Sequence, residues 1–489
     1  MQSTANSTVN PMRLFKRPHR LALFFSFIST ALLLCSCATK HVEQLSADPK
    51  VPAQWEAPMP DSRRATELKN WWKSQNEPEL VTLIEAANEV SPNIASALAR
   101  IERAKASQVQ DLSSLLPELT ATMSRNKSYS PLANGAYTQT QTGVQVSWAL
   151  DLAKLNGSQL SSGQAGLESA DAQWHNARIL VAAEVADLYY ASRICQRQSE
   201  LYNRDAESYE RSVQMMLRSL QAGMAADGEL AAERYNAAQV MGQLQKQQAT
   251  CELQIKGLVA LTGQSEPSLR QLLQPAWQRP LSLASFSVSA IPAQALSQRP
   301  DVYVAELDVI QAQARVMQAQ ANRLPRLSLE GFVGRSSIDA GDVSVRNATS
   351  WTFGPLALNL PIFDAGRRAA DQRAAEEDLN ASISAYHARV RLAVREIEEA
   401  LVQLDSADQR LCYSRVAAEQ AAIRLQSSER LLQEGMLSPF ELEELRRKAR
   451  AAEQDSLALD LEGRRAWTTL YRAVGGGFDR SSMNTESKP

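Results

Sequence analysis

The cysteines are the residues whose spacing best suits covalent chemistry. Cys195 and Cys251 lie equally far before and after Gly223 in the sequence. If an antiparallel helix pair folds back near Gly223, the two thiols lie at similar heights, and an oxidising compartment permits a disulfide between them. A disulfide also requires facing Cβ atoms, so the spacing leaves open the alternative of two small buried residues in helix packing. Cys412 has no evident partner.

Histidines and phosphate-binding motifs give no basis for catalysis. His41, His175 and His387 follow the N-terminal signal region and are widely scattered. The chain has no nucleophile elbow, no metal-spaced ligand cluster and no phosphate loop. The glycines at 475–477 follow a helical pattern, so we interpret them as a helix C-cap. We therefore predict no catalytic residues, no cofactor and no metal site.

The segment 1–36 has the pattern of a bacterial lipoprotein signal peptide. Basic residues at 13–20 precede the apolar stretch from Leu21 to Leu34, which is too short to span a bilayer comfortably. The basic region begins directly after Met12, so the pattern leaves open whether Met1 or Met12 is the start.

Cys37 is the predicted lipidation site of this pattern. Ser36 supplies the small residue that precedes a lipidated cysteine, whereas bulky Leu34 makes Cys35 the poorer candidate. Acyl chains on Cys37 would anchor the mature N-terminus to a membrane, and Ala38 after it resembles the lipoproteins that are sorted to the outer membrane, which makes outer-membrane lipid the expected partner. Residues 37–75 then form a lipidated, extended N-terminal segment.

Composition indicates long helices rather than a nucleic-acid-binding protein. The 489-residue chain has a formal net charge of −2, which gives no reason to expect nucleic acid as a partner. Alanine, glutamine, leucine, arginine and glutamate dominate its middle and end. After the signal sequence no apolar stretch is long enough for a spanning helix, so a membrane crossing would require a closed barrel.

The chain contains two internal repeats, which we place at 76–290 and 291–478, with a tail at 479–489. The spacing from Pro92 to Pro117 in the first copy equals the spacing from Pro300 to Pro325 in the second. The offset between the copies stays nearly constant along the chain, because Pro92 precedes Pro300 by almost the same interval as Gly223 precedes Gly435. Each copy is therefore one structural unit.

Each repeat predicts a short helix, two strands, a very long helix, a turn and a return helix. Alternating apolar and polar residues predict the strands at about 117–151 and 325–363. The turns fall at about 222–229 and 434–441, and the remaining predicted elements are short helices at 93–116 and 301–324 and long helices at about 160–222 and 366–434.

Four strands cannot close a barrel, and open sheet edges are not tolerated in lipid. Bacterial outer-membrane barrels begin at eight strands. The pattern therefore predicts that at least two chains share one barrel, and three chains would give twelve strands.

Several segments together resemble the outer-membrane factor (TolC-like) family. They include "QRPDVYVAELDVIQAQARV", "ANRLPRLSL", "GPLALNLPIFDAGRRAA" and "LYRAVGGGF". Within that family the chain is most similar to the NodT-type lipoproteins of tripartite drug efflux. The resemblance implies a mainly α fold with a transmembrane β-barrel. It implies a homotrimer whose twelve-stranded outer-membrane barrel continues into a periplasmic α-helical tube. The implied partners are a periplasmic adaptor and an inner-membrane RND-type pump of a Gram-negative bacterium.

The resemblance also implies roles for the two turns. By resemblance, the two turns are periplasmic tips that contact the adaptor. The contact residues are Gly223, Met224, Gly435, Met436 and Ser438. The return helix after the second tip lines the narrow end of the tube. There the resemblance assigns an apolar residue and an acid four positions later to the gate; these are Phe440 and Glu444, and Glu443 is the rival lining residue. A local role in stabilising the helix N-terminus would also account for these acids.

One departure from the family concerns the start of the first long helix. The family has a Phe-Gly pair where this chain has Ala153 and Lys154, and we expect Asn156 and Gly157 to supply the turn instead. Trp71 and Trp72 could form a ligand-stacking pair, but the resemblance favours a role in pinning the N-terminal segment onto the outside of the tube.

We interpret the protein as a passive exit duct for drugs or other small toxic compounds. Alternative functions are a type I secretion duct, a metal-efflux duct, or a periplasmic coiled-coil scaffold without a channel. The four amphipathic strands disfavour the scaffold, which has no need of them. The substrate is not encoded in any pattern of the sequence.

Overall fold

The computed structural model of the chain describes residues 51–60, 68–130, 135–151, 155–280, 292–340 and 343–480. The predicted lipidation site Cys37 lies outside these ranges, as do the signal-peptide residues and the predicted tail after 480.

Long helices form most of the described structure. In chain order the helices are α1 (Trp71–Ser74), α2 (Pro78–Val90), α3 (Pro92–Ser113), α4 (Leu155–Gln221), α5 (Asp227–Thr262), α6 (Glu266–Gln278), α7 (Pro292–Ser297), α8 (Pro300–Ala321), α9 (Arg367–Gln433) and α10 (Pro439–Ala473). The longest two, α4 and α9, have 67 residues each, which corresponds to about 100 Å.

The short helices α3 and α8 begin as the sequence predicts and end earlier. Each has its proline in the first turn, where the missing N–H costs nothing. The predicted ends were 116 and 324, but the helices stop at Ser113 and Ala321. At the end of α3 the bonds shift to an i→i−3 pattern, as in the 3.0 Å bond from Leu116 N to Ser113 O. Such bonds tighten the last turn and end the α-helix.

Four antiparallel strands form a sheet in the order β1 (Glu118–Ser130), β2 (Gly135–Leu150), β3 (Arg326–Ala340) and β4 (Val343–Asn359). Val144 of β2 lies opposite Val333 of β3, which in turn lies opposite Trp351 of β4. Because directly paired residues share a face, one face is largely apolar and the other largely polar. The apolar face includes Leu119, Met123, Val144, Val146, Trp148, Leu327, Leu329, Val333, Trp351, Leu356 and Leu358, and the polar face includes Thr120, Thr122, Ser124, Gln141, Gln145, Ser147, Ser328 and Ser350.

The expected turn at Asn156 and Gly157 is wrong, because both residues lie within α4. The carboxylate of Asp151 accepts a hydrogen bond from Gly157 N at 3.1 Å. A carboxylate is stabilised at the positive N-terminal end of a helix, so Asp151 allows α4 to begin before these residues. Ala153 and Lys154 lie outside the described residues.

The main core lies where α2, α4, α9 and α10 meet. Trp71 is fully buried and stacks on Tyr471 of α10 with ring centroids 5.1 Å apart. Trp72 meets the same tyrosine edge-on at 4.8 Å. The tryptophan pair therefore packs the N-terminal part of the described chain onto the helices and does not form an open stacking surface.

The sequence patterns predict none of the four short helices of this region, α1, α2, α6 and α7. The described helices include none that is both long and apolar enough to cross a membrane.

Candidate functional site at the helical tips

The turn after α4 is closed by a Schellman motif. Gly223 has a φ of 73°, a left-handed conformation that favours glycine. Gly223 N donates to Leu220 O at 3.0 Å, and Met224 N donates to Ser219 O at 2.8 Å. These two bonds satisfy carbonyl groups that the end of a helix otherwise leaves without partners.

The turn after α9 repeats this geometry. Gly435 has a φ of 75°; its N–H donates to Leu432 O at 3.1 Å, and Met436 N donates to Leu431 O at 2.8 Å. The side chains of Met224 and Met436 are 77% and 65% exposed. Two equivalent chain reversals thus present exposed methionines.

The return helices begin differently after the two reversals. Ser438 Oγ accepts from Glu441 N at 3.2 Å, and Ser438 N donates to the Glu441 carboxylate at 2.9 Å. These two reciprocal bonds form a capping box. The first turn has only one of them: Ala226 N donates to the Glu229 carboxylate at 2.9 Å, but the alanine side chain has no acceptor. The backbone N–H of Ser438 holds the pKa of Glu441 below its ordinary value. Glu441 is therefore a capping residue.

Glu444 is exposed on the first turns of α10. Its carboxylate pairs with Lys448 one turn later, and this hydrogen bond lowers the pKa of Glu444. Phe440, four residues earlier on the same helix, is half-buried. Both predicted gate residues thus lie on the same side of the first turns of α10.

Glu443, the rival lining residue, is buried against α4. Ser208 Oγ donates to its carboxylate at 2.6 Å, and Arg211 donates from both Nε and Nη2 at 3.1 Å. Arg446 donates to it at 2.8 Å. Burial opposes ionisation of Glu443, but these hydrogen bonds outweigh burial and lower its pKa to about 2. Glu443 faces the neighbouring long helix because this pairing satisfies its charge.

Two further arginines of α10 join the same contact. Arg447 donates to Ser208 Oγ at 3.2 Å and to Ser212 Oγ at 3.1 Å, and Arg450 pairs with Asp205. We name this contact the α4–α10 latch; its residues are Asp205, Ser208, Arg211 and Ser212 of α4 and Glu443, Arg446, Arg447 and Arg450 of α10.

Sequence reasoning found only Glu443 among the latch residues. A usable signal existed, because positions 205, 208 and 212 fall on one helical stripe and positions 443, 447 and 450 fall on another. What the sequence did not reveal is that these two stripes meet, since 235 residues separate Ser208 from Glu443.

A disulfide joins Cys195 of α4 to Cys251 of α5, with Cα atoms 5.5 Å apart. Of the two alternatives left open by the spacing, the structure has the covalent one. Gln247 donates from Nε2 to Cys195 Sγ at 3.1 Å and so packs over one sulfur. Cys412 is a free, exposed cysteine.

Among the described residues no group of three histidine, cysteine, aspartate or glutamate side chains could hold a metal ion. The tips and the latch consist of helix caps, ion pairs and packing contacts. Such contacts can hold neighbouring helices together, and breaking them can let the helices separate.

Comparison with known proteins assigns the chain to a family. The family model described as outer membrane efflux protein matches residues 83–264 and 291–476. The pyoverdine export outer membrane protein OpmQ of Pseudomonas putida is 25% identical over 476 residues, covering 93% of this chain and 97% of that protein. Nodulation protein T of Rhizobium leguminosarum bv. trifolii is 26% identical over 423 residues, covering 84% and 88%.

A solved structure of the outer-membrane channel OprN has the same fold. It superimposes with a TM-score of 0.75 at 25% identity, covering 88% of this chain and 98% of that one. Because the family model matches well over half of the sequence, the chain belongs to the outer membrane efflux protein family, and it is an outer-membrane channel of an efflux system rather than an enzyme.

Proposed function

We propose that three copies of this chain close a twelve-stranded barrel in the outer membrane. The observation that carries the proposal is the sheet itself. Within the described chain β1 pairs only with β2, and β4 pairs only with β3. The outer edges therefore keep unpaired N–H and C=O groups, which lipid does not tolerate. Pairing β1 of one copy with β4 of the next removes every edge, and three copies give a number of strands that such barrels adopt.

The same assembly gives the two faces of the sheet their roles. The apolar face, with Met123 at 77% and Trp351 at 71% exposed in the single chain, turns towards lipid. The polar face lines a water-filled lumen. The helices that adjoin the sheet lie at the end opposite the connections from β1 to β2 and from β3 to β4. We propose that α3 to α5 and α8 to α10 build a periplasmic tube as two structural repeats, so that these connections face outwards from the cell. The two separate matches of the family model support the repeats.

The tube is proposed to close at its tips. In the trimer Phe440 and Glu444 of the three chains face the axis, while the α4–α10 latch holds each return helix against a long helix. Breaking the latch lets α9 and α10 move away from α4 and α5, which widens the opening. An exposed carboxylate ring attracts cations, so we propose that Glu444 makes the entrance cation-preferring.

The duct is proposed to be passive and to serve an adaptor and an inner-membrane pump. The exposed Met224 and Met436 offer flexible apolar surface for an adaptor at all six tips, beside Gly223, Gly435 and Ser438. Acylation of Cys37 adds a lipid anchor. The transported compounds are proposed to be drugs or other small toxic compounds, since the family is one of efflux proteins and the relatives include a toluene efflux pump outer membrane protein.

Native mass spectrometry of the detergent-solubilised protein tests the assembly. The expected complex has three copies. A cysteine scan along β1 and β4 then gives covalent dimers and trimers only for pairs in one antiparallel register. A monomer in mild detergent, or cross-links between two β1 edges, contradicts the proposed barrel.

A further inference from the structure

The apolar face of the sheet becomes positively charged in the half nearest the connections from β1 to β2 and from β3 to β4. Along β1 the residues of this face are Leu119, Ala121, Met123, Arg125, Lys127 and Tyr129 in order. Along β3 it runs from Leu327 and Leu329 to Val333 and then Arg335. Cations therefore replace apolar residues at similar heights on two different strands, and all three cations are exposed.

The register places these cations around a column of hydroxyl groups on β2. Arg125 lies opposite Thr140 and Lys127 opposite Thr138. Arg335 lies opposite Thr142 from the other side. Arg125 and Arg335 lie two strands apart and two residues apart along the strands. With strands about 4.8 Å apart and a rise of about 3.4 Å per residue, their Cα atoms are separated by roughly 12 Å across β2. We name the cations and threonines together the rim patch; its residues are Arg125, Lys127, Thr138, Thr140, Thr142 and Arg335.

One acid shares the face with the rim patch. Asp339 lies opposite Thr138, in the same row as Lys127 but two strands away. It balances one charge at most, so the patch keeps a positive excess. In the part of the chain that is described, no salt bridge involves Arg125, Lys127 or Arg335.

The height of the patch fits the edge of the hydrocarbon layer. From Leu327 to Arg335 is eight residues, about 27 Å along the strand, or roughly 20 Å across the membrane at a tilt of about 40°. The exposed Ile362 and Phe363 follow β4 at the opposite, helical end. An outward apolar band is about 25 Å tall, so the cations lie at its outer edge. Arginine on the lipid face is costly at mid-membrane and nearly free there.

We propose that the rim patch binds the phosphate groups of the glycolipid of the outer leaflet, lipopolysaccharide. This inference rests on the proposed orientation, in which the turns of the sheet face outwards. The argument is charge complementarity: three cations and three hydroxyls lie at headgroup height on a face that otherwise meets acyl chains. Arginine pairs with phosphate oxygens through its planar set of donors, and the threonine hydroxyls donate to the same groups. Three copies of the chain would carry three such patches around the barrel.

The test compares glycolipid binding by the purified full-length protein and two variants. The first replaces the cations with Arg125→Gln, Lys127→Gln and Arg335→Gln together. The control, Arg103→Gln, Arg234→Gln and Lys246→Gln, removes the same charge from exposed helix positions. Each cation near an anionic surface contributes about a factor of five, so we expect the rim variant to bind lipopolysaccharide on the order of a hundredfold more weakly. The control should bind like the original protein.

Two further ligands define the chemistry. Enzymatically dephosphorylated lipopolysaccharide should bind the original protein as weakly as intact lipopolysaccharide binds the rim variant. Phosphatidylglycerol carries a single phosphate in each headgroup, whereas lipopolysaccharide carries several, so phosphatidylglycerol vesicles should discriminate less between the rim and control variants than lipopolysaccharide does. Equal binding of lipopolysaccharide by the rim and control variants overturns the proposal. So does a loss of phosphatidylglycerol binding in the rim variant that is as large as its loss of lipopolysaccharide binding. Because the assay measures lipid binding and not conductance, it stays informative whether or not the protein forms an open duct.

Discussion

Arg211 of α4 and Glu443 of α10 are joined by two hydrogen bonds of 3.1 Å, although 232 residues separate them in the chain. Glu443 also accepts from Ser208 at 2.6 Å. The pair ties the return helix of one half of the chain to the long helix of the other. It lies eight residues beyond Gly435, near the tip where the proposed duct closes.

Glu443→Gln should weaken this contact and favour the open state. The amide keeps the shape of the carboxylate but loses its charge, so the donors Arg211 and Arg446 lose their ionised partner. Because Arg211 is half exposed, we expect a loss of about 1–3 kcal/mol in the free energy of unfolding. We also expect more frequent channel opening in a planar bilayer. Glu444→Gln is the matched control for stability: its exposed pair with Lys448 should contribute little to the free energy of unfolding. Equal effects of both substitutions would argue against the latch.

The contribution of Glu443 should depend on pH in a defined window. Its pKa is lowered to about 2 in the folded chain from an ordinary value of 4.5. A lowered pKa means that the stabilisation is fully present above about pH 4.5 and is lost as the pH falls through about 2. The difference in unfolding free energy between the original protein and Glu443→Gln should be constant from pH 7 to 5 and shrink below that. A difference that vanishes already at pH 6 would contradict the assignment.

Removing the disulfide should destabilise the first helix pair. Cys195 and Cys251 are 56 residues apart in sequence, and closing a loop of that length gives up to about 4 kcal/mol by the chain-entropy model. We expect Cys195→Ser with Cys251→Ser to lower the thermal midpoint. Hydrogen exchange should become faster between residues 196 and 250, with residues 408–462 as the internal reference. Uniform acceleration in both segments would mean that the bond does not act locally.

The second helix pair should accept a matching disulfide. Ala407 and Gly463 flank Gly435 at the same sequence distances as the two cysteines flank Gly223. A Cβ atom built on Gly463 lies 4.0 Å from Cβ of Ala407, within the range of disulfides. Ala407→Cys with Gly463→Cys, made with Cys412→Ser, should oxidise spontaneously, as seen by thiol labelling of the unfolded chain. Two persistently free thiols would show that the two pairs differ in packing at this height.

Local patterns predicted much of this architecture. The alternation of apolar and polar residues predicts the strands. The glycines at 223 and 435 predict the chain reversals, because the left-handed residue that ends a helix is usually glycine. The start of α4 was misjudged, since a side chain such as Asp151 can cap a helix without a turn motif.

Contacts between distant parts of the chain were not predictable in this way. A role at the helix N-terminus accounts equally for all the acids after Phe440, and only the resemblance separates Glu444 from Glu443. In the structure Glu441 caps the helix, Glu443 is buried and Glu444 is exposed. Their separation depends on the packing of α10 against α4, which lies in the other half of the chain. The same holds for the disulfide, for which the spacing was compatible but the facing of the Cβ atoms was not known.

Single-channel recording of the purified protein in a planar bilayer tests whether the chain forms a gated duct. We expect discrete conductance steps with a low open probability for the original protein and a clearly higher open probability for Glu443→Gln. Cation preference should fall in Glu444→Gln. If correctly folded, bilayer-inserted protein gives no conductance in any of these forms, the chain does not form the duct described here.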